Sequence, residues 1–183
     1  MPKPTAPRER WIEEGMRALA DSGIASVRVE VLAKILGVTK GSFYWHFDDR
    51  QALLDAMLDA WETTYVDDVI RQVELEGGDG RARLRDLYGL AETAAPQALR
   101  LDLAIREWAR NDPSVMNRLI RVDNRRMDYM RALFADFSRD AAEAEERSLL
   151  SFCVWIGQPL IAAEHRTRDR GEVVRAALEL VLR

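Results

Sequence analysis

An all-α fold is predicted by three observations. Apolar residues recur at spacings of three and four in nearly every segment, no run of alternating β-branched residues bounded by turn signals occurs, and glycines, prolines and capping side chains fall where helices would start and stop. With 183 residues, 48% of them apolar and 32% charged, the chain suits one or two compact soluble domains with a substantial core.

The first helix is read from Pro7 to Asp21, with Trp11, Ile12, Gly15, Met16 and Leu19 facing inward and Gly23 as its stop. A second runs from Val29 to Leu36 and ends at Gly37. A third runs from Lys40 to Phe47 behind a Thr39 hydroxyl cap, and Asp48 or Asp49 caps a long fourth helix from Arg50. Gly77, Gly78, Asp79 and Gly80 form the one glycine-rich break, so the fourth helix ends before them and a fifth starts near Arg81. Pro96 is read as opening a helix to Arg110. Asp112 and Pro113 supply a cap and a first-turn proline for a helix through about Phe137. Another begins at Asp140 and is interrupted at Gly157 and Pro159; the last follows Gly171, with Val174, Leu178 and Val181 aligned. No internal repeat is visible.

Charge and composition exclude several classes. Lysine plus arginine number 27 against 31 aspartate plus glutamate, a formal charge of −4, so no bulk positive field exists to hold a polyanion and any nucleic-acid contact must be local. Residues 1–47 nevertheless carry +2 and hold all three lysines, Lys3, Lys34 and Lys40; the remainder carries −6. The single cysteine, Cys153, excludes a disulfide framework and a multi-cysteine zinc site, fits a cytoplasmic protein, and in its apolar surroundings reads as an inert buried thiol. Met1 to Arg10 lacks the apolar core of a signal peptide, and Leu149 to Ala163 is too short and polar to span a bilayer, so no membrane role is expected. No phosphate-binding glycine loop, nucleophile elbow or zinc-protease motif occurs, and the two histidines, His46 and His165, are far apart. The expectation is a non-enzyme without cofactor or metal.

The informative stretch is Val29 to Phe47, VEVLAKILGVTKGSFYWHF, two short helices meeting at a glycine turn of helix-turn-helix length. Leu32, Ala33 and Leu36 form the inner stripe of the first, and Val38 fills the corner. On the second, Phe43 and Phe47 share a core face; Gly41, Ser42, Tyr44 and Trp45 lie opposite. Two aromatics, a hydroxyl and a missing side chain turned to solvent suit a DNA groove better than a monomer surface. Thr39 and Lys40 stand at the helix start, where free N–H groups and the positive dipole end favour phosphate.

This stretch resembles the TetR (tetracycline-repressor-like) family. TKGSFYWHF followed by DDRQALLDAML looks like its recognition helix and fourth-helix start, and GIASVRVEVLAKILGVT looks like its second helix and turn. AIREWARNDPSVMNRLIRVDNRRMDYMRALF is similar to the body of one subgroup. The resemblance implies a three-helix DNA-binding head, residues 1–49, and a helical ligand-binding and dimerisation body, residues 50–183. It also implies that Lys40, Gly41, Ser42 and Trp45 lie against bases or groove walls while Thr39, Tyr44, His46 and Arg50 hold phosphates. The chain departs from the pattern where many members start the second helix with serine or threonine: it has Arg28, which loses a cap and offers a phosphate contact. It departs again at Arg50, where lysine is typical, and Asp48 and Asp49 add negative charge beside the DNA backbone.

Further along, Trp61, Tyr65, Tyr88, Trp108, Met127, Met130, Phe134 and Trp155, with Phe152, either pack as core or line a pocket for an apolar or aromatic effector, with Arg106, Asn124, Gln158 or His165 to orient it. Arg118, Arg121, Arg125, Arg126 and Arg131 are interleaved with Asp123 and Asp128 and read as a solvated helix face. One recognition helix reaches few base pairs, so a homodimer is expected, its two heads about 34–36 Å apart on double-stranded operator DNA. Leu149, Phe152, Cys153, Ile156, Val174, Leu178 and Val181 are the candidate interface, pairing as a four-helix bundle. The function expected is a ligand-released repressor. The alternatives are a helical protein-binding adaptor and a regulator without a small-molecule ligand.

Overall fold

The structure, a computed structural model, describes residues 6–183, the side chains of 94–96 excepted. Lys3 and the start of the stretch inspected for a signal peptide lie outside it. Among the described residues every regular element is helical. In chain order these are α1 (Arg8–Ser22), a 3₁₀ turn (Ile24–Ser26), α2 (Val29–Leu36), α3 (Lys40–Phe43), α4 (Arg50–Glu62), a π turn (Thr63–Asp67), α5 (Asp68–Glu76), α6 (Gly80–Ala109), α7 (Pro113–Ala135), α8 (Ala141–Gly157), a second 3₁₀ turn (Gln158–Leu160) and α9 (Arg170–Val181).

Several helix ends follow the expected chemistry. The Asp49 carboxylate accepts from Ala52 N at 2.8 Å, that of Asp112 from Ser114 N at 3.0 Å, and that of Asp140 from Glu143 N at 2.9 Å. Asp169 and Glu172 cap α9 reciprocally. Three elements differ from the sequence reading. The fourth helix is not uniform: a π turn at Thr63–Asp67 separates α4 from α5. No new helix opens at Pro96, because α6 carries the backbone from Gly80 to Ala109 without a break, and one missing N–H removes only one bond from a 30-residue ladder. The α-helical part of the recognition element stops at Phe43, four residues before the expected end.

Two compact units emerge. One comprises the chain as far as Asp68 with Ala94–Ile120; the other comprises Val69–Thr93 with Arg121–Arg183, so α6 and α7 each contribute to both. In the first unit α1 packs on α4: Trp11, Ile12 and Leu19 are buried, as are Leu53, Leu54, Met57 and Trp61. Gly15 permits the close approach, since a Cβ there would lie 2.6 Å from Met57 Sδ. The second unit is built on Leu84, Met130, Leu133, Phe134, Ala144 and Leu182, with Leu87, Tyr88, Met127 and Phe152 packed around them.

Candidate nucleic-acid interface

The turn between α2 and α3 is made by Gly37, whose φ of 69° and ψ of 25° place it in the left-handed region that glycine adopts without strain. Its amide and that of Val38 return to the Lys34 and Ala33 carbonyls at 3.3 and 3.0 Å. Thr39 then runs extended into α3. It occupies the cap position, but its hydroxyl does not cap; the first turn is closed instead by Ser42, whose amide and hydroxyl both donate to the Thr39 carbonyl at 3.0 and 2.8 Å. Ser42 is therefore buried, which corrects the expectation that its hydroxyl faces solvent or a base.

Phe43 is the pin of the site. It has no exposed surface and meets Trp11 edge-on at 5.2 Å, Phe47 in a stack at 5.2 Å and Tyr44 edge-on at 5.3 Å. The chain tightens after it: the amides of His46 and Phe47 both return to the Phe43 carbonyl, at 2.9 and 3.1 Å. That turn brings Phe47 onto Phe43, where the Arg8 guanidinium covers it at 4.9 Å, and accounts for the early end of α3. With the two phenylalanines inside, Tyr44 and Trp45 are turned out, 53% and 74% exposed. Arg28, Lys40 and Gly41 are also exposed, while Thr39 and His46 are half-buried. Among the described residues nothing requires glycine at 41, where a Cβ would meet only Thr39 Oγ1 at 3.7 Å, so its bareness is available to an outside surface.

Two charged residues have partners that periodicity alone does not reveal. Lys40 Nζ lies 2.5 Å from Glu30 Oε1 on α2, a contact that holds the Glu30 carboxyl below its usual range and raises the Lys40 ammonium. Arg50, expected to hold phosphate, donates through Nε to the Val27 carbonyl at 2.6 Å and through Nη2 to the Ile24 carbonyl at 2.9 Å. Its planar fork is engaged by the protein's own backbone. Both pairs join residues ten or more apart in sequence, across elements, so only the packing of α2, α3 and α4 could disclose them.

Comparison with known proteins agrees with this geometry. Residues 12–57 match the description "Bacterial regulatory proteins, tetR family". A stretch of 69 residues, 38% of this chain, is 36% identical to the HTH-type transcriptional regulator TtgR of Pseudomonas putida, and spans only 32% of that relative's length. Over nearly the whole length the fold matches a transcriptional regulator of Saccharomonospora viridis crystallised with choline (TM-score 0.78, 17% identity, covering 95% of this chain and 94% of that one). It also matches SCO4454, a TetR-family regulator of Streptomyces coelicolor (TM-score 0.76, 18% identity, covering 96% and 93%). Residues 12–57 are thus TetR-like, and the fold of the described chain is one that TetR-family structures share.

The body candidates fall into two sets. Trp61, Tyr65 and Trp108 lie in the first unit, Trp61 and Trp108 buried and Tyr65 half-buried; Tyr88, Met127, Met130, Phe134 and Trp155 lie in the second. Of these, Met130 and Phe134 are core, while Tyr88, Met127 and Trp155 keep some surface. The Tyr88 hydroxyl is 2.7 Å from Ser151 Oγ, and burial pushes its pKa up to about 12. Trp155 sits beneath the Arg126 guanidinium at 5.3 Å, and its Nε1 is buried without an acceptor among the described residues. Of the possible orienting groups, Arg106 is half-buried and pairs with the buried Asp102 carboxylate at 2.8 Å, Gln158 is half-buried, and Asn124 and His165 are exposed. Arg118, Arg126 and Arg131 are not simply solvated: they pair with Asp59 at 2.6 Å, Asp123 at 3.5 Å, and Asp128 and Glu145 at 2.6 Å each.

The expected interface stripe is also divided. Leu149 and Cys153 are exposed, and Phe152, Ile156, Val174 and Val181 are half-buried. Leu178 is buried inside its own subunit by the packing of α8 on α9, which removes it from any surface, and Cys153 is exposed where a buried thiol was expected. Among the described residues no helix is long and apolar enough to cross a membrane.

Proposed function

We propose that this chain is a homodimeric transcriptional regulator of the TetR family, a repressor that binds a palindromic operator through residues 1–49 and is released by a small apolar or aromatic effector bound in residues 50–183. The observation that carries this reading is the outward face of α3 and the turn after it: an indole and a phenol held out by two buried phenylalanines, beside a bare glycine and a lysine at a helix start. A groove accepts the aromatic surface that water would not. Arg28, Thr39 and His46 flank this face and are assigned to phosphates.

Dimerisation is assigned to the remaining apolar surface of α8 and α9, with Leu149 and Cys153 at its centre. Effector contacts are assigned to the candidates of the second unit with surface left to offer, Tyr88, Met127 and Trp155. The S. viridis neighbour was crystallised with choline. In the present chain the Arg126 guanidinium already lies over the Trp155 face where a small cation would sit, which favours an uncharged effector there. An effector that fits better with α4 tilted would disfavour DNA by the same coupling that DNA imposes on the effector.

The test is footprinting of the DNA flanking the chain's own gene, followed by titration at several salt concentrations. A protected palindrome is expected, with Lys40→Ala flattening the salt dependence by about one counterion. Glu30→Gln, which frees Lys40 from its internal partner, is expected to tighten binding. No sequence-selective shift on any fragment would leave the protein-binding adaptor as the better reading.

A further inference from the structure

We infer that Arg50 is a positioning residue that ties the start of α4 to the segment leading into α2, and that it does not serve as a phosphate ligand; the inference rests on the DNA-binding reading above. Arg50 is the first residue of α4, and its two donors reach carbonyls 23 and 26 residues back, at Val27 and Ile24. Those carbonyls belong to the short 3₁₀ turn and the buried Val27 that precede α2. Ionised donors make such bonds shorter and stronger than neutral ones, and the guanidinium spans both acceptors with one rigid plane.

The rest of α4 is held differently. Met57 is packed against Gly15 of α1, and Asp49 satisfies the first-turn amide of Ala52. The helix is thus fastened to α1 at its middle by close packing, and to the entrance of the helix-turn-helix at its first residue by a polar fork. A change in α4 at one end is communicated to α2, and through the Gly37 turn to the aromatic face, by the two bonds of Arg50. Lysine carries the same charge on a single nitrogen without the planar fork, so it keeps an attraction for phosphate while losing the two-carbonyl geometry.

That difference supplies the test. The full-length Arg50→Lys and Arg50→Ala variants are titrated with the footprinted operator across a salt series, with thermal unfolding as a check on folding and amide hydrogen exchange measured without DNA. Both variants are expected to lose affinity by a similar factor, about ten-fold for two charge-assisted bonds, with the salt slope of the parent and faster exchange over residues 24–29. Wild-type affinity in Arg50→Lys, or a slope about 0.9 smaller in Arg50→Ala, would overturn the inference and return Arg50 to the phosphate backbone. If the parent binds no operator, the DNA-binding reading fails by itself and the exchange measurement decides the clamp: unchanged protection over 24–29 in both variants would refute it.

Discussion

Replacing two neighbouring aromatics separates the buried side of the recognition element from its outward side. Phe43 is fully enclosed, so Phe43→Ala removes a complete ring from a packed core, a change that costs about 3–5 kcal/mol. Its contacts with Trp11, Tyr44 and Phe47 at 5.2–5.3 Å place it at the upper end of that range. Set against a typical total of about 5–15 kcal/mol, the loss should lower the unfolding midpoint visibly and abolish DNA binding with it. Trp45 is 74% exposed, leaving a quarter of a surface of roughly 200 Å² in contact with protein, so Trp45→Ala should cost about 1 kcal/mol. Its effect should appear instead in competition between operator and scrambled duplex, as an approximately ten-fold loss of preference, comparable to removing one good base contact. The assays are circular-dichroism melting and fluorescence anisotropy on the same samples. A Trp45→Ala protein as unstable as Phe43→Ala, or one that melts normally and still prefers its operator undiminished, would refute the reasoning.

Glycines at two places in α6 should respond to alanine with opposite signs. At Gly80 a Cβ would lie 2.1 Å from the Leu133 carbonyl oxygen, which is backbone and cannot swing aside, so Gly80→Ala should destabilise by about 2–3 kcal/mol. At Gly89 none of the described residues lies within 4 Å of an added Cβ, and Gly89→Ala should stabilise by about 1 kcal/mol through helix propensity; urea unfolding of the two variants checks both signs. Tyr88 should make stability depend on alkaline pH. Its phenol is protonated in both states below pH 10, but between 10 and about 12 the unfolded chain gives up the proton that the folded chain keeps, so stability falls as pH rises and Tyr88→Phe should lessen the fall. Leu149→Glu combined with Cys153→Glu should give folded monomers in sedimentation, both positions being exposed in the single chain, whereas a charge at Leu178 should unfold the protein before it dissociates it.

The helix-turn-helix was legible because its information is local. A glycine at 37 ends one helix, a threonine at 39 precedes the next, and two phenylalanines four residues apart select the inner face, all within a few residues of one another. The aspartate caps at 49, 112 and 140 were legible for the same reason. Ser42 was misjudged because a helical projection assigns a direction to each residue but does not say that a short hydroxyl will turn back to its own first-turn carbonyl. The break assigned to Pro96 failed because local propensity competes with 30 residues of continuous helix.

From its order of residues alone, the chain determined most of its helices, the turn that joins two of them and the face on which Tyr44 and Trp45 stand, since each of these depends on backbone preferences and a period of 3.6. Only the tertiary structure decided that Lys40 is held by Glu30, that Arg50 grips the carbonyls of Ile24 and Val27, that Gly80 has no room for a methyl group, and that Leu178 faces inward while Cys153 faces out. Those outcomes turn on distances between side chains and backbone far apart along the chain, and such distances exist only once the helices have packed.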